Sequence, residues 1–155
     1  MAEKFEKISE IQDDILGAVW QVIGDEVDEY YIQGKVSVAD DGSGMVEGGL
    51  DYASKSGKLY MNNKLGIEKT TLGDLNKFIT EKIRELYNTL MDLQGKSPVR
   101  FRWIVNVELG HVDSDWTYYD QLTPEELKNN AWKGWRGDEM WEAQIRENLS
   151  RKKGD

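Results

Sequence analysis

The chain contains no cysteine and a single histidine, His111. Without thiols it has no disulfide framework and no thiolate chemistry. Zinc sites built from several cysteines and histidines are excluded as well. No run of roughly eighteen apolar residues occurs, so no spanning helix is expected. Internal repeats, low-complexity tracts and long linkers are also missing, and 155 residues suit one domain, 1–155, with a single core. The N-terminus, Met-Ala-Glu-Lys-Phe-Glu-Lys, is acidic and amphipathic, unlike a signal peptide. A cytoplasmic protein is the simplest reading.

Positive charge is missing from two stretches in particular. Residues 1–29 hold nine acids and two lysines, and residues 106–127 hold six acids and no base. These two blocks carry the whole excess behind the net charge of −9. Direct binding of nucleic acid is disfavoured, because phosphate recognition needs clustered lysine and arginine. A basic protein partner is permitted. The plainer reading is that acidic surfaces serve solubility.

What the chain has in abundance is helical and strand periodicity. Leu72, Leu75, Ile79, Ile83, Leu86, Leu90 and Leu93 keep one helix face over 72–93. Thr71 with Asp74 reads as its N-cap, and Gly95 with Pro98 as its stop. Seven aligned aliphatics need a broad apolar surface to lie on, since burying each contributes roughly 1.5–3 kcal/mol before entropy. An earlier helix over 3–23 places Phe5, Ile8, Ile11, Ile15, Val19 and Val22 on one stripe, widened by Leu16, Trp20 and Ile23.

From Glu29 the period becomes two. Tyr30, Ile32, Gly34, Val36 and Val38 alternate with Tyr31, Gln33, Lys35 and Ser37, as in a half-buried strand. Asp40 to Gly44 reads as a turn, and Val46, Gly48, Leu50 and Tyr52 form a second alternating run. Gly48-Gly49 suggests a bulge or a close-packed helix. Lys58 to Leu65 is a third strand near an edge. Val99 to Leu109 is the strongest strand, with Val99, Phe101, Trp103, Val105 and Val107 on one face. A turn over 110–114 and a return over 115–119 complete a hairpin. Thr123-Pro124-Glu125-Glu126 opens a helical tail from about 123, which Gly134 and Gly137 interrupt. Asp138 would cap a last amphipathic helix through Trp141, Ile145 and Leu149. The fold expected is α+β, in the order α-β-β-β-α-β-β-α, with amphipathic helices on an antiparallel sheet of about five strands.

No constellation carries obvious chemistry. His111 stands near Asp113 and Asp115, as a base and its orienting carboxylate would, but an exposed hairpin histidine is the plainer reading. No nucleophile elbow occurs in a strand–turn–helix context. Gly42-Ser43-Gly44 precedes a strand, so it lacks the helix N-terminus of a phosphate cradle. Asp113-x-Asp115 and Asp40-Asp41 offer too few ligands for a calcium loop. No catalysis, cofactor or required metal is expected. The last third is rich in aromatics: Trp103, Trp116, Tyr118, Tyr119, Trp132, Trp135 and Trp141. Core packing accounts for some of them, and tryptophan and tyrosine are also favoured at interfaces.

Three segments resemble a known family. They are Glu29-Tyr30-Tyr31-Ile32, Pro98-Val99-Arg100-Phe101-Arg102-Trp103, and Asp115-Trp116-Thr117-Tyr118-Tyr119-Asp120, followed by Trp132 and Trp135. In this layout the chain resembles the YezG-like family of bacterial immunity proteins, the antitoxins of polymorphic secreted toxins, over about residues 5–135. It departs from that pattern in the glycine-rich turn and the terminal helix. The resemblance implies a small α+β immunity domain that binds a cognate toxin, often a nuclease, and no catalytic residues. Combined with the acidic hairpin, it makes Asp113, Asp115, Trp116, Tyr118, Tyr119, Asp120, Trp132 and Trp135 the candidate partner-binding residues. Hairpin alternation puts Trp116 and Tyr118 on one face, Thr117 and Tyr119 on the other, with one pair in the core. The acidic block Asp25, Glu26, Asp28 and Glu29 is the rival site. A small carboxylate-using hydrolase and an adaptor without a toxin are the alternative functions.

Overall fold

The computed structural model describes residues 2–38, 44–128 and 135–154. In chain order these form α1 (Ala2–Ile23), β1 (Glu29–Val38), β2 (Gly44–Lys55), β3 (Lys58–Met61), α2 (Lys69–Gln94), β4 (Arg100–Asn106), β5 (His111–Thr117), α3 (Pro124–Lys128) and α4 (Trp135–Gly154). Five antiparallel strands make one sheet in the order β3-β2-β1-β4-β5. The α+β class and the element order are those the periodicities predict.

One face of the sheet carries the main core. Ile11, Ile15 and Val19 of α1 and Leu75, Ile79, Ile83 and Leu86 of α2 pack on Tyr30, Ile32, Leu50, Phe101 and Trp103. The close approach of α2 is set by glycine. A Cβ built on Gly34 would lie 2.5 Å from Cδ1 of Ile83, and one on Gly48 would lie 3.0 Å from Cγ2 of Ile79. Two α2 side chains also bond to β2. The Thr80 hydroxyl accepts from the Gly48 N–H at 3.0 Å, and Asn76 Oδ1 accepts from the Leu50 N–H at 3.0 Å.

The other face is covered by α4. Trp141, Ile145 and Leu149 pack against Tyr31, Tyr52 and Leu59, with Ile104 beside them. This corrects the half-buried reading of β1: Tyr31, Gln33 and Lys35 are buried, as are Tyr30 and Ile32 on the opposite side. A bulge in β2 helps. The register runs Tyr31↔Tyr52 and then Ile32↔Leu50, leaving Asp51 as the extra residue. Tyr52 is thereby turned to the α4 face, away from the face that Leu50 shares with the main core.

Several local expectations are corrected. The ladder of α2 runs through Thr71, because the Leu72 N–H already bonds the Glu68 carbonyl, so Glu68 is the N-cap and no side chain caps it. The stop at Gly95 stands, in the left-handed conformation with its N–H on the Met91 carbonyl. Phe5 and Trp20 of the first stripe are exposed. The third strand ends at Met61, where a 3-10 turn over Asn62–Lys64 begins. The β4–β5 turn is tighter than predicted. Gly110 has φ +62° and Asn106 Oδ1 accepts from the Leu109 N–H, so β5 already starts at His111. Thr123 does cap α3, in a reciprocal box with Glu126. Gly137 does not interrupt α4, and Asp138 lies in its first turn. The Asp40–Ser43 turn and Gly134 lie outside the described residues.

Candidate functional site

β5 lies at the edge of the sheet and carries the acidic segment. Its pairing is Arg102↔Asp115, Trp103↔Ser114 and Ile104↔Asp113. Residues directly opposite one another share a face, so Asp113 and Asp115 look toward α4 and Ser114 and Trp116 look toward the main core. The candidate residues are therefore split. Trp116 is half-buried and stands edge-on to Phe101 at 5.2 Å and to Trp103 at 6.1 Å. It is part of the core packing, on the opposite face from the carboxylates it was expected to accompany.

The strand ends at Thr117, so the alternation does not extend to the tyrosines. Tyr118 is half-buried. Its hydroxyl oxygen accepts from Gln94 Nε2 at 2.7 Å, and Lys96 Nζ lies 5.1 Å from its ring centre. Tyr119 is 58% exposed, and Asp120 is exposed beside it in a short 3-10 turn. Trp132 lies outside the described residues; Trp135 opens α4, and its side chain also lies outside them. His111 is exposed and sits 2.9 Å from Asp113 Oδ1. The rival block is not a free acidic patch throughout. Glu29 is 3.3 Å from Lys152 Nζ, and Asp28 accepts from the Ser56 N–H.

A groove of about 400 Å³ runs between β5 and α4. Tyr31, Arg102 and Ile104 line it from the sheet, Trp141 and Ile145 from the helix, and Asp113 and Asp115 from the edge strand. A second cavity of about 290 Å³ shares Arg102, Asp115 and Trp141 with the first and is lined also by Arg100 and Glu126. Arg102 borders both. Its guanidinium packs 4.5 Å from the centre of the Trp141 ring, and its Nε donates to Gln33 Oε1 at 2.7 Å. Burial, with the neighbouring Arg100 charge second, lowers the Arg102 pKa to about 10, so it stays charged at neutral pH. Arg100 pairs with Glu126 and donates to the Thr117 hydroxyl. Burial alone would raise the Glu126 carboxyl. The Thr123 N–H and the Arg100 guanidinium outweigh it and hold the carboxyl below its usual range.

Deeper under α4 lies a polar network that sequence reading missed. Gln33 Nε2 donates to Asp51 Oδ2 at 3.0 Å and to Asp138 Oδ1 at 2.7 Å. Lys35 Nζ donates to Asp138 Oδ1 at 3.1 Å, and the Tyr52 hydroxyl donates to the Asp138 carbonyl at 3.2 Å. Burial first, and the Asp138 charge second, push the Asp51 carboxyl up to about 7. Asp138 thus ties α4 to β1 through its carboxylate instead of capping the helix. Gln33 and Lys35 read as solvent-facing because strand alternation alone cannot show what covers a face. The available signal was the Trp141, Ile145 and Leu149 stripe, which requires an apolar floor.

Among the described residues no three histidine, aspartate or glutamate side chains are grouped so as to hold a metal ion. None of the described helices is long and apolar enough to cross a membrane. Compared with known proteins, the chain matches no family model and no curated protein.

Proposed function

We propose that this chain is a cytoplasmic immunity-type binding protein that neutralises a basic, nuclease-like protein toxin. It acts by occluding the toxin's active site or its substrate surface, and carries out no reaction of its own. One observation supports the reading above others: Asp113 and Asp115 stand exposed on the open edge of the sheet, within a stretch of six acids and no base. Carboxylates in that position attract the lysine and arginine that a nuclease presents to phosphate. The resemblance of the Glu29–Ile32, Pro98–Trp103 and Asp115–Asp120 segments to YezG-like immunity proteins points the same way.

The rival reading, a small carboxylate-using hydrolase, has its best footing at Asp51 and Asp138. Both carboxylates are already held by Gln33, and the cavity beside them is only about 110 Å³. Ligand pockets are usually about 300 Å³ or larger, so this pair of carboxylates has little room for a substrate.

Co-expression with the product of the adjacent gene tests the proposal. Copurification of the two chains, and relief of that product's toxicity by this one, are the expected results. A neighbour that is harmless and does not copurify would contradict it.

A further inference from the structure

We propose that β5 receives an extended segment of the basic partner, which joins the sheet as a sixth strand. This rests on the binding reading above and specifies how the contact is made.

The direction of the backbone groups comes first. The Val107 N–H donates to the Asp28 carbonyl, and the Val36 N–H donates to the Val99 carbonyl. In an antiparallel ladder both polar groups of a residue point the same way, and successive residues alternate. So Phe101, Trp103 and Val105 bond toward β1, while Arg102 and Ile104 bond toward β5. Through the register, Asp113 and Asp115 return those bonds. Val112, Ser114 and Trp116 are left with N–H and C=O directed away from the sheet. Among the described residues no other element takes up these groups.

The opposite edge is treated differently. There β3 covers only the last four residues of β2, Tyr52 to Lys55. Further along β2, Thr80 and Asn76 take the Gly48 and Leu50 N–H groups, and Asn62 Nδ2 donates to the Leu50 carbonyl. Side chains thus take up the Gly48 and Leu50 groups on that margin, and the edge strand β3 is only four residues long and begins with Lys58, whereas the seven residues of β5 contain no lysine, proline or bulge and are guarded only by the charges of Asp113 and Asp115.

Charge then selects the occupant. An added strand places alternate side chains directly beside Asp113 and Asp115, where opposite charge is favourable and like charge is not. A strand with lysine or arginine at alternate positions fits. A second copy of this chain, pairing β5 with β5, would set aspartates against aspartates and is disfavoured.

The test uses the full chain, isotope-labelled, and a capped octapeptide of alternating threonine and lysine. Amide exchange at Val112, Ser114 and Trp116 should slow by about tenfold or more near saturation, because these amides gain partners. The same peptide N-methylated on its bonding edge should not slow them. Nor should an octapeptide with glutamate for lysine. Ser114→Pro should abolish the effect, since its N–H is unused by β4 and proline is tolerated on an outer edge. If that variant melts early, the N-methylated peptide still decides. Salt-sensitive peptide binding with those three amides unchanged would overturn strand addition and leave the acidic-surface reading standing. No binding of the cationic peptide at low salt would overturn both. A β5-paired homodimer in solution, seen by sedimentation with the same amides protected in the absence of peptide, would also overturn it.

Discussion

Gly34 and Gly48 decide how near α2 can lie to the sheet. An added Cβ at Gly34 would meet Ile83 at 2.5 Å, well inside van der Waals contact. We therefore expect Gly34→Ala to destabilise by about 1–3 kcal/mol, the usual cost of overpacking. Ile83→Val in the same chain should recover part of that loss, as a denaturant-melt double-mutant cycle would show. Asp51 is the second residue with an outsized role. Its folded pKa of about 7 lies above the ordinary carboxylate value, so the folded state holds the proton more tightly than the unfolded state. Its contribution is full below the unfolded pKa and is lost as pH rises toward 7. Between pH 4.5 and 7.5 the parent should lose on the order of 3 kcal/mol from this group, and Asp51→Asn should remove that slope. Urea midpoints across the range check it. A parent–variant difference that stays constant with pH would show that Asp51 titrates normally.

At the scale of elements, α4 has the largest consequences. Trp141 stands edge-on to Tyr31 and to Tyr52, each at 5.9 Å, and supports the Arg102 guanidinium. Trp141→Ala should cost about 3–5 kcal/mol and expose Tyr31 and Tyr52 to solvent, detectable by tyrosine fluorescence quenching. The helices and the strands themselves were legible in the sequence. The stripes of Ile11, Ile15 and Val19 and of Leu75 through Leu90, and the alternation of Phe101, Trp103 and Val105, follow from burial on one side. What was not legible were features set by pairing between distant segments. The Asp51 bulge turns Tyr52 over. The buried Gln33 and Lys35 depend on a helix more than a hundred residues later. The acidic edge strand was visible as composition, but its separation from Trp116 required the register. Asp138 read as a helix cap because an acid before an amphipathic stripe usually is one. The Lys35 and Gln33 donors across the sheet changed its role.

Among the described residues, the β5 edge of the sheet is acidic, lies beside a groove and pairs with no further strand, while helices pack on both faces. The central claim is that this edge engages a basic protein partner. The most direct measurement is the affinity of the copurified partner for the parent and for a chain carrying Asp113→Asn, Asp115→Asn and Asp120→Asn together, at low and high salt. Exposed charges are screened beyond roughly 10 Å at 0.1 M, so parent association should slow as salt rises. The triple variant should bind about tenfold or more weakly at low salt, with a flatter salt dependence and a nearly unchanged melting curve. Equal affinity of the two chains for that partner at low salt would contradict the assignment of the β5 edge as the interface and move it to the acidic block over 25–29.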